Sequence, residues 1–366
     1  MLYFNKAHTE AQKNCNGQYK YQNGLRKQHE NIARNHLRNA GESLHANQAA
    51  LIPTDAYRQL DQITQRVFKD DEGQGYMMDL MKVSKSLDVG KTAYVYRQAS
   101  DKNDQVVRSM SGNVTTLKSK TEYTFEGDPV PIFRTDYGRP WRELRAFQSE
   151  GFDAMFDDHE NAMREIKRDM ARYMLNGDTS INVQTYAARG MLNHAATTQI
   201  NLGSSGANVD LTAQATSSDD IINFFTRDFA ETLDDNFCAY VDIMWISPQL
   251  GRRLAEPYSE AADFKEGTLR DYILRYGRIK DIQITFELGR SDNDAPNDDA
   301  SGNEFFAYVR SQSVLCPLVG QGVSTVAIPR LLPMDDINNL VWSAMGFQVR
   351  EDVNGRSKVF HASDMG

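Results

Sequence analysis

A dense cluster of charged side chains lies in the stretch DPVPIFRTDYGRPWRELRAF, residues 128–147. Its members are Arg134, Asp136, Arg139, Trp141, Arg142, Glu143 and Arg145. The four arginines lie near the predicted start of a helix, where backbone N–H groups and the helix dipole could favour a bound phosphate. Acids alternate with the arginines, however, and alternating signs suit mutual ion pairs better than an anion site. We therefore interpret the cluster as a contact between subunits, with anion binding as the alternative.

Two other patterns begin to match a ligand-binding motif and then depart from it. The Gly-Lys-Thr sequence at 90–92 resembles the end of a phosphate-binding loop, but Lys85 occupies the position of the first glycine. The acidic loop 292–304 resembles a calcium loop in composition, but Pro296 occupies a ligand position. We therefore expect a solvated loop at 292–304 and no nucleotide site at 90–92.

Histidines and cysteines also fail to form a recognisable catalytic or metal-binding set. His159 and Glu160 are not followed by a second histidine at helical spacing, so the zinc-protease pattern is incomplete. Cys15, Cys238 and Cys316 are widely spaced, which predicts core thiols rather than a disulfide framework or a zinc site. Because no nucleophile, base and oxyanion set can be named, we predict no enzyme activity, no cofactor and no metal.

Composition indicates an ordinary globular protein with an uneven distribution of charge. Of its 366 residues, 40% are hydrophobic and 25% are charged, and no run approaches the ~18 apolar residues of a membrane span. Residues 1–48 contain seven basic and three acidic residues, a net charge of +4, which leaves −13 for the rest of a chain whose total is −9. This basic arm on an acidic body favours contact with another copy of the chain, and nucleic acid is the alternative partner.

The elements that position the charged cluster follow from periodicity and from turn residues. Helices are predicted over 25–38 and from Pro53, and β-prone runs separated by polar turns predict a long projecting hairpin over 85–127. After the cluster, apolar residues at intervals of three and four predict a long helix over 141–176, bent near Gly151. Alternating helices and strands begin near residue 205, and a β-rich tail ends the chain.

This order of parts resembles the major capsid proteins of tailed bacteriophages, whose fold is shared with encapsulins. Local likeness lies in PVPIFRTDYGRPWRELRAF, in the helix that ends at MLNGD and in the following GMLNHA. Likeness of organisation covers about residues 50–366, whereas local sequence likeness covers about 128–196.

The resemblance implies an α+β protein with the tailed-phage major capsid fold. Its expected parts are an N-terminal arm (1–48), the N-terminal helix of a peripheral domain (49–84), an extended loop formed by a β-hairpin (85–127), the peripheral domain with its long spine helix (128–204), an axial α/β domain (205–318) and the C-terminal strands of the peripheral domain (319–366). The extended loop is expected to lie over a neighbouring subunit, and axial domains are expected to meet around capsomer centres.

The function implied by the resemblance is that of a structural major capsid protein, which self-assembles into an icosahedral head shell around phage double-stranded DNA. Its expected partners are its own copies in hexamers and pentamers, packaged DNA bound without sequence specificity, and portal, scaffolding and decoration proteins, with no membrane. The expected location is the virion, with assembly in the host cytoplasm. The alternatives are an encapsulin-type compartment that loads a cargo enzyme, and an α/β hydrolase or nucleotide-binding enzyme.

Overall fold

The computed structural model describes residues 24–29, 31, 74–100, 110, 120–149, 154–258, 267–289 and 302–364. The chain divides into two compact units, Met1–Phe68 and Lys69–Gly366. In the first unit, residues 24–29 and 31 are helical and exposed, in agreement with the helix predicted over 25–38. The helix predicted from Pro53 lies outside the described residues.

The described part of the second unit contains helices and strands throughout. Its helices are α1 (Gln74–Met81), α2 (Trp141–Ser149), α3 (Ala154–Asn176), α4 (Ser218–Asn223), α5 (Phe229–Asp235), α6 (Pro248–Leu254) and α7 (Leu269–Tyr276), and a π-helical segment, Phe224–Asp228, joins α4 to α5. Its strands are β1 (Lys85–Ser86), β2 (Ala93–Ala99), β3 (Tyr123–Pro129), β4 (Ile132–Arg139), β5 (Gly177–Val183), β6 (Tyr186–Arg189), β7 (Thr198–Asn201), β8 (Ile243–Ile246), β9 (Ile282–Ile284), β10 (Phe305–Tyr308), β11 (Leu315–Ala327), β12 (Ile337–Val349) and β13 (Val359–Ser363).

A four-stranded sheet in the order β1-β11-β12-β4 packs against α3. The buried residues of α3 include Ile166, Met170 and Met174, whose spacing of four places them on one face. This is the apolar stripe that the sequence predicts for the long helix. The helix expected over 141–176 is present as α2 and α3, and residues 150–153 between them lie outside the described residues.

A second sheet has five strands, in the order β7-β13-β10-β8-β9. β10 is antiparallel to its neighbours, and the other four strands run parallel to one another. Ile243 and Trp245 of β8 face one hydrophobic core, whereas Met244 and Ile246 face another. Because both faces are covered, β8 reads as an uninterrupted apolar run.

The last strand lies in a different sheet from β11 and β12, which precede it in the chain. The resemblance implies that residues 319–366, which include β13, are the C-terminal strands of the peripheral domain. The backbone of β13 pairs with β10 on one side and with β7 on the other, inside the five-stranded sheet. Pairing between residues more than 50 positions apart, such as Phe306 and His361, leaves no local sequence signal. All of the expected domain bounds remain predictions.

Two of the three cysteines are buried free thiols, as expected for core residues. Burial raises the pKa of Cys238 and of Cys316, which keeps both thiols protonated. Cys15 lies outside the described residues. Within the described parts of the chain, no helix is both long and apolar enough to cross a membrane.

Candidate subunit-contact surfaces

Arg139 connects three consecutive elements within the predicted contact cluster. It ends β4, and its guanidinium forms an ion pair with Asp158 of α3, with 3.0 Å between Nη2 and Oδ1. Its Nη1 lies 2.8 Å from Oε1 of Glu143 in α2, and its Cζ lies 5.4 Å from the ring centroid of Phe147. Hydrogen bonding to Asp158 raises the pKa of Arg139, so the guanidinium stays charged. Arg139 therefore holds β4, α2 and α3 in fixed relative positions.

Arg134 and Asp136 form a second ion pair on the outward face of β4. Their Nη2 and Oδ2 atoms are 2.9 Å apart, both side chains are more than half exposed, and hydrogen bonding to Asp136 raises the pKa of Arg134. The opposite face of β4 packs on α3, where Phe133 meets Tyr173 with 5.3 Å between ring centroids. β4 is the outermost strand of its sheet, and charged side chains along such a strand discourage unspecific strand pairing.

The remaining three residues of the predicted cluster are not joined to these pairs. Trp141 begins α2 and is half-buried, and Arg142 and Arg145 are exposed on the same helix. Neither of these two arginines forms an ion pair with a residue that the structure describes. The alternating signs of the cluster thus pair largely within one chain, and contact with a second subunit stays a prediction for all seven residues.

The β2-β3 hairpin has two chemically different faces. Side chains at even positions of β2 contact the rest of the second unit: Lys85 Nζ donates to Tyr94 Oη at 2.5 Å, and Gln98 Nε2 donates to the Glu351 carbonyl at 3.2 Å. Lys85 itself lies in β1 and pairs with β11, so the paired part of the hairpin begins at β2 rather than at residue 85. One face of the hairpin is therefore docked on its own chain.

The other face of the hairpin is exposed and largely apolar. It carries Val95 and Arg97 of β2 with Tyr123 and Phe125 of β3, and Phe125 is 59% exposed. Arg97 Cζ lies 4.7 Å from the ring centroid of Tyr123. We name these four residues the outward hairpin face. Clustered exposed aromatic residues mark an interaction surface, and the period of two in AYVYRQA is the sequence signal that could have identified this face.

A histidine clamp fixes the base of the hairpin. Asp128, which is buried at the end of β3, accepts a hydrogen bond from His194 Nε2 at 3.1 Å. His194 Nδ1 accepts the N–H of Ala196 at 3.1 Å, which assigns the ring proton to Nε2. His194 belongs to the GMLNHA stretch singled out in the sequence, and its role is to hold the hairpin against the body.

A second exposed apolar surface lies between β11 and β12. Leu331 is 95% exposed, and Leu332 and Met334 are also exposed. The carboxylate of Asp335 accepts the backbone N–H groups of Leu331 and Leu332 at 3.1 and 2.7 Å. The turn is therefore ordered in a conformation that presents apolar side chains to solvent.

The structure also shows where the two incomplete ligand-binding motifs, residues 90–92 and 292–304, stand in the chain. Residues 90–92 precede strand β2, whereas a phosphate-binding loop requires a helix there. Of the loop expected at 292–304, residues 292–301 lie outside the described residues, and Asn303 and Glu304 are buried rather than solvated. Glu304 Oε1 lies 2.9 Å from His361 Nε2, which places it in the body. Among the described residues, no group of three or more His, Cys, Asp or Glu side chains could hold a metal ion.

Solved structures with a similar fold include two capsids and a chain of a bacteriophage. The capsid of Myoviridae phage XM1 matches with a TM-score of 0.60 and 13% identity, over 87% of this chain and 100% of that chain. Microbacterium phage Oxtober96 matches with a TM-score of 0.56 and 14% identity, over 88% and 99%. The capsid of a native GTA particle matches with a TM-score of 0.56 and 11% identity, over 88% and 98%. These matches confirm the α+β tailed-phage capsid fold expected from the resemblance.

Sequence comparison identifies a family directly. No curated protein matches the chain in sequence. The sequence model of one protein family covers residues 46–362, which is most of the chain. The chain therefore belongs to the family described as a family of unknown function, DUF6260.

Proposed function

We propose that this chain is the major capsid protein of a tailed bacteriophage, and that it self-assembles into an icosahedral shell around double-stranded DNA. The observation that carries the proposal is a shared fold that spans the whole length of the XM1 capsid chain. The alternative of a nucleotide-binding enzyme gains no support from residues 90–92, which precede a strand rather than a helix. We accordingly propose a structural role without catalysis.

The outward hairpin face is the surface that most needs a partner. A two-stranded hairpin is marginally stable by itself, and here Val95, Tyr123 and Phe125 on one of its faces are exposed. Burying an aromatic side chain such as Phe125 contributes roughly 1.5–3 kcal/mol. Coverage of this face by a neighbouring subunit would therefore supply assembly energy without being needed for folding.

The charged cluster contributes a second contact in this proposal. Arg139 positions α2, while Arg142 and Arg145 project from that helix without a described ionic partner. The body of the chain has a net charge of −13, so a neighbouring copy offers carboxylates for both arginines. Charge pairs at the rim of an interface contribute more to orientation and specificity than to affinity.

Other partners follow from the same role. The acidic body would repel tightly packed DNA rather than bind it, which suits contents that must enter and leave without sequence specificity. Portal, scaffolding and decoration proteins would contact the assembled shell. The protein would then be found in the virion, after assembly in the host cytoplasm.

Electron microscopy of the purified chain tests the proposal. Negative staining should reveal closed shells or rings of five and six subunits, whereas a monodisperse monomer at high concentration would contradict the proposal. Nucleic acid extracted from native particles should be double-stranded DNA. A protein cargo in place of DNA would instead indicate an encapsulin-type compartment.

A further inference from the structure

One end of the five-stranded sheet combines cations with exposed aromatic rings, and the contacts proposed above leave it unused. We name it the basic-aromatic patch, and its residues are Phe237, Tyr240, Arg278, Lys280, Arg356 and Lys358. Three chain segments supply these residues, and hydrogen bonds hold the segments together. The N–H of Val241 donates to the Arg278 carbonyl at 3.0 Å. The N–H of Ser357 donates to Asn236 Oδ1 at 3.3 Å.

Both aromatic rings of the patch carry a cation over one face. Phe237 is 70% exposed, and the Arg356 Cζ lies 4.5 Å from its ring centroid. The Nζ atom of Lys280 lies 3.6 Å from the ring centroid of Tyr240. Because cation–π attraction restricts long, flexible side chains, the patch presents these charges in defined positions.

The backbone of Phe237 has a conformation that bulky residues avoid. Its φ is +49°, in the left-handed region, at a position after the end of α5 where glycine is usual. The side chain gains no core burial in return, since most of it is exposed. Strain of this kind is concentrated at functional and binding sites.

Two cations of the patch are open to an acidic partner. Arg278 pairs with Asp234, and Lys280 Nζ lies 2.7 Å from Asp242 Oδ1. Arg356 and Lys358, in contrast, form no ion pair with a carboxylate of the described residues. A partner with closely spaced carboxylates would complete this half of the patch.

The opposite end of the same sheet bears Gly289 and Gly302, the described residues that flank an acidic segment of the sequence, residues 290–301. β8 and β9 are parallel. Phe237 and Tyr240 precede β8 in the chain, and Arg278 and Lys280 precede β9, whereas residues 290–301 follow β9. The flanking residues, Gly289 and Gly302, are in contact, since a Cβ on Gly289 would lie 2.7 Å from the Gly302 Cα. Gln249 Nε2 also donates to the Gly289 carbonyl at 2.6 Å. The two residues that flank the segment therefore lie together at one point of the body.

The segment has a negative charge, which complements the positive charge of the patch. Its sequence, RSDNDAPNDDAS, contains four aspartates and one arginine, a net charge of −3. We propose that the acidic segment of one copy binds the basic-aromatic patch of a second copy. The contact would join the patch at one end of the sheet to a segment whose flanking residues lie at the other end, so it is heterologous, and a repeated heterologous contact gives a ring when the rotation between copies closes. This inference rests on the proposed shell function and names a contact between neighbours within one capsomer.

Charge reversal on each side of the contact tests the inference. The patch variant is Arg356→Glu with Lys358→Glu, and the segment variant is Asp298→Lys with Asp299→Lys. The control is Arg227→Glu with Arg252→Glu, which reverses two exposed arginines of the same α/β region outside the patch. The protein concentration for half-maximal assembly, measured by light scattering, should rise at least about tenfold for the first two variants and less than about twofold for the control. Circular dichroism should confirm that all variants are folded.

Mixing the two variants distinguishes a contact between copies from one within a copy. In an equimolar mixture, a reversed segment meets a reversed patch wherever the two variants alternate, as they can throughout a ring of six, so assembly of six-membered rings should return to within about threefold of wild type. A chain that carries all four substitutions should also assemble. Rescue by that chain without rescue by the mixture would overturn the inference in favour of contact within one copy.

Other outcomes would refute the inference and leave the proposed shell function intact. Normal assembly of the patch variant would overturn it, and reduced DNA content in those normal shells would assign the patch to nucleic acid. If the wild-type chain forms neither rings nor shells, the proposed function itself fails. The two failures are therefore separate observations.

Discussion

The β2-β3 hairpin and the five-stranded sheet use apolar side chains in opposite ways. β8 and β10 are buried on both faces, because two hydrophobic cores of the same chain cover them. The hairpin docks its even-numbered face on the chain, and its other face presents Val95, Tyr123 and Phe125 to solvent. We therefore expect apolar residues in the sheet to determine the stability of the folded chain, and those on the outward hairpin face to determine the strength of assembly.

The largest effect is expected from truncation inside the sheet. Phe306 is fully buried, and its ring centroid lies 6.0 Å from that of Tyr76 and 6.5 Å from that of Trp245. Phe306→Ala should lower the free energy of unfolding by about 3–5 kcal/mol, because it removes buried surface and leaves a cavity. Phe125→Ala is the matched control and should change it by less than about 0.5 kcal/mol in the unassembled chain. Urea unfolding measures both, and equal losses would remove the distinction between the regions.

A pH titration tests how α1 is attached to the sheet. Burial alone would raise the pKa of Asp79, but hydrogen bonds from Arg310 Nε, Lys82 Nζ and Tyr308 Oη outweigh it and lower the pKa. The Asp79 carboxylate therefore binds a proton more readily in the unfolded chain than in the folded one. Its stabilising contribution to folding is present above a pH of about 4 and is lost as the pH falls through the lowered pKa of the folded state. Asp79→Asn should therefore cost about 2 kcal/mol at pH 7 and progressively less in acid.

Identical pH dependence of unfolding in wild type and Asp79→Asn would contradict this assignment. Asp336→Asn is a suitable control, because this carboxylate is exposed beside the turn between β11 and β12. It should leave the neutral-pH stability within about 0.5 kcal/mol of wild type.

Arg139 should have a smaller effect on stability, because its ion pairs are partly exposed to solvent. Arg139→Glu places like charges beside Asp158 and Glu143 and should cost about 1 kcal/mol. Adding Asp158→Arg should recover part of this loss by restoring opposite charges. Arg142→Glu, on the adjacent helix, should leave stability unchanged and weaken assembly. Thermal unfolding together with light scattering separates these outcomes, and unaltered assembly of Arg142→Glu would remove it from the contact.

The smallest effect on stability, with a clear effect on assembly, is expected on the outward hairpin face. Tyr123→Ser with Phe125→Ser should shift the unfolding temperature little, since neither side chain is buried in one chain. The concentration for half-maximal assembly should rise about tenfold or more. Val353→Ser, which alters an exposed apolar residue in a turn, serves as the control. Equal assembly of the double variant and the control would assign the hairpin face no role.

Local patterns allowed much of this fold to be predicted from the sequence. The apolar stripe on α3 depends on spacing and residue type within one segment, and it is present. The paired strands within the predicted hairpin likewise follow from β-prone runs. Mutual pairing of charges near Arg139 was also foreseeable, because oppositely charged residues alternate there.

Features that depend on distant residues could not be predicted in this way. Asp128 and His194 are 66 positions apart, and nothing in either segment specifies the other. The pairing of β13 with β10 likewise joins residues that are far apart in the sequence. The basic-aromatic patch draws on three separated segments, so its residues appeared unremarkable along the chain. The period of two separates the two faces of the hairpin, but which of them leaves Phe125 exposed depends on contacts with the body.

A cryo-electron microscopy reconstruction of the assembled chain tests the central claim most directly. We expect a closed shell in which a neighbouring copy buries Val95, Tyr123 and Phe125, while β8 and β10 keep the environment they have in one chain. A preparation that remains monomeric at every concentration, or a shell that leaves these three side chains in solvent, would contradict it.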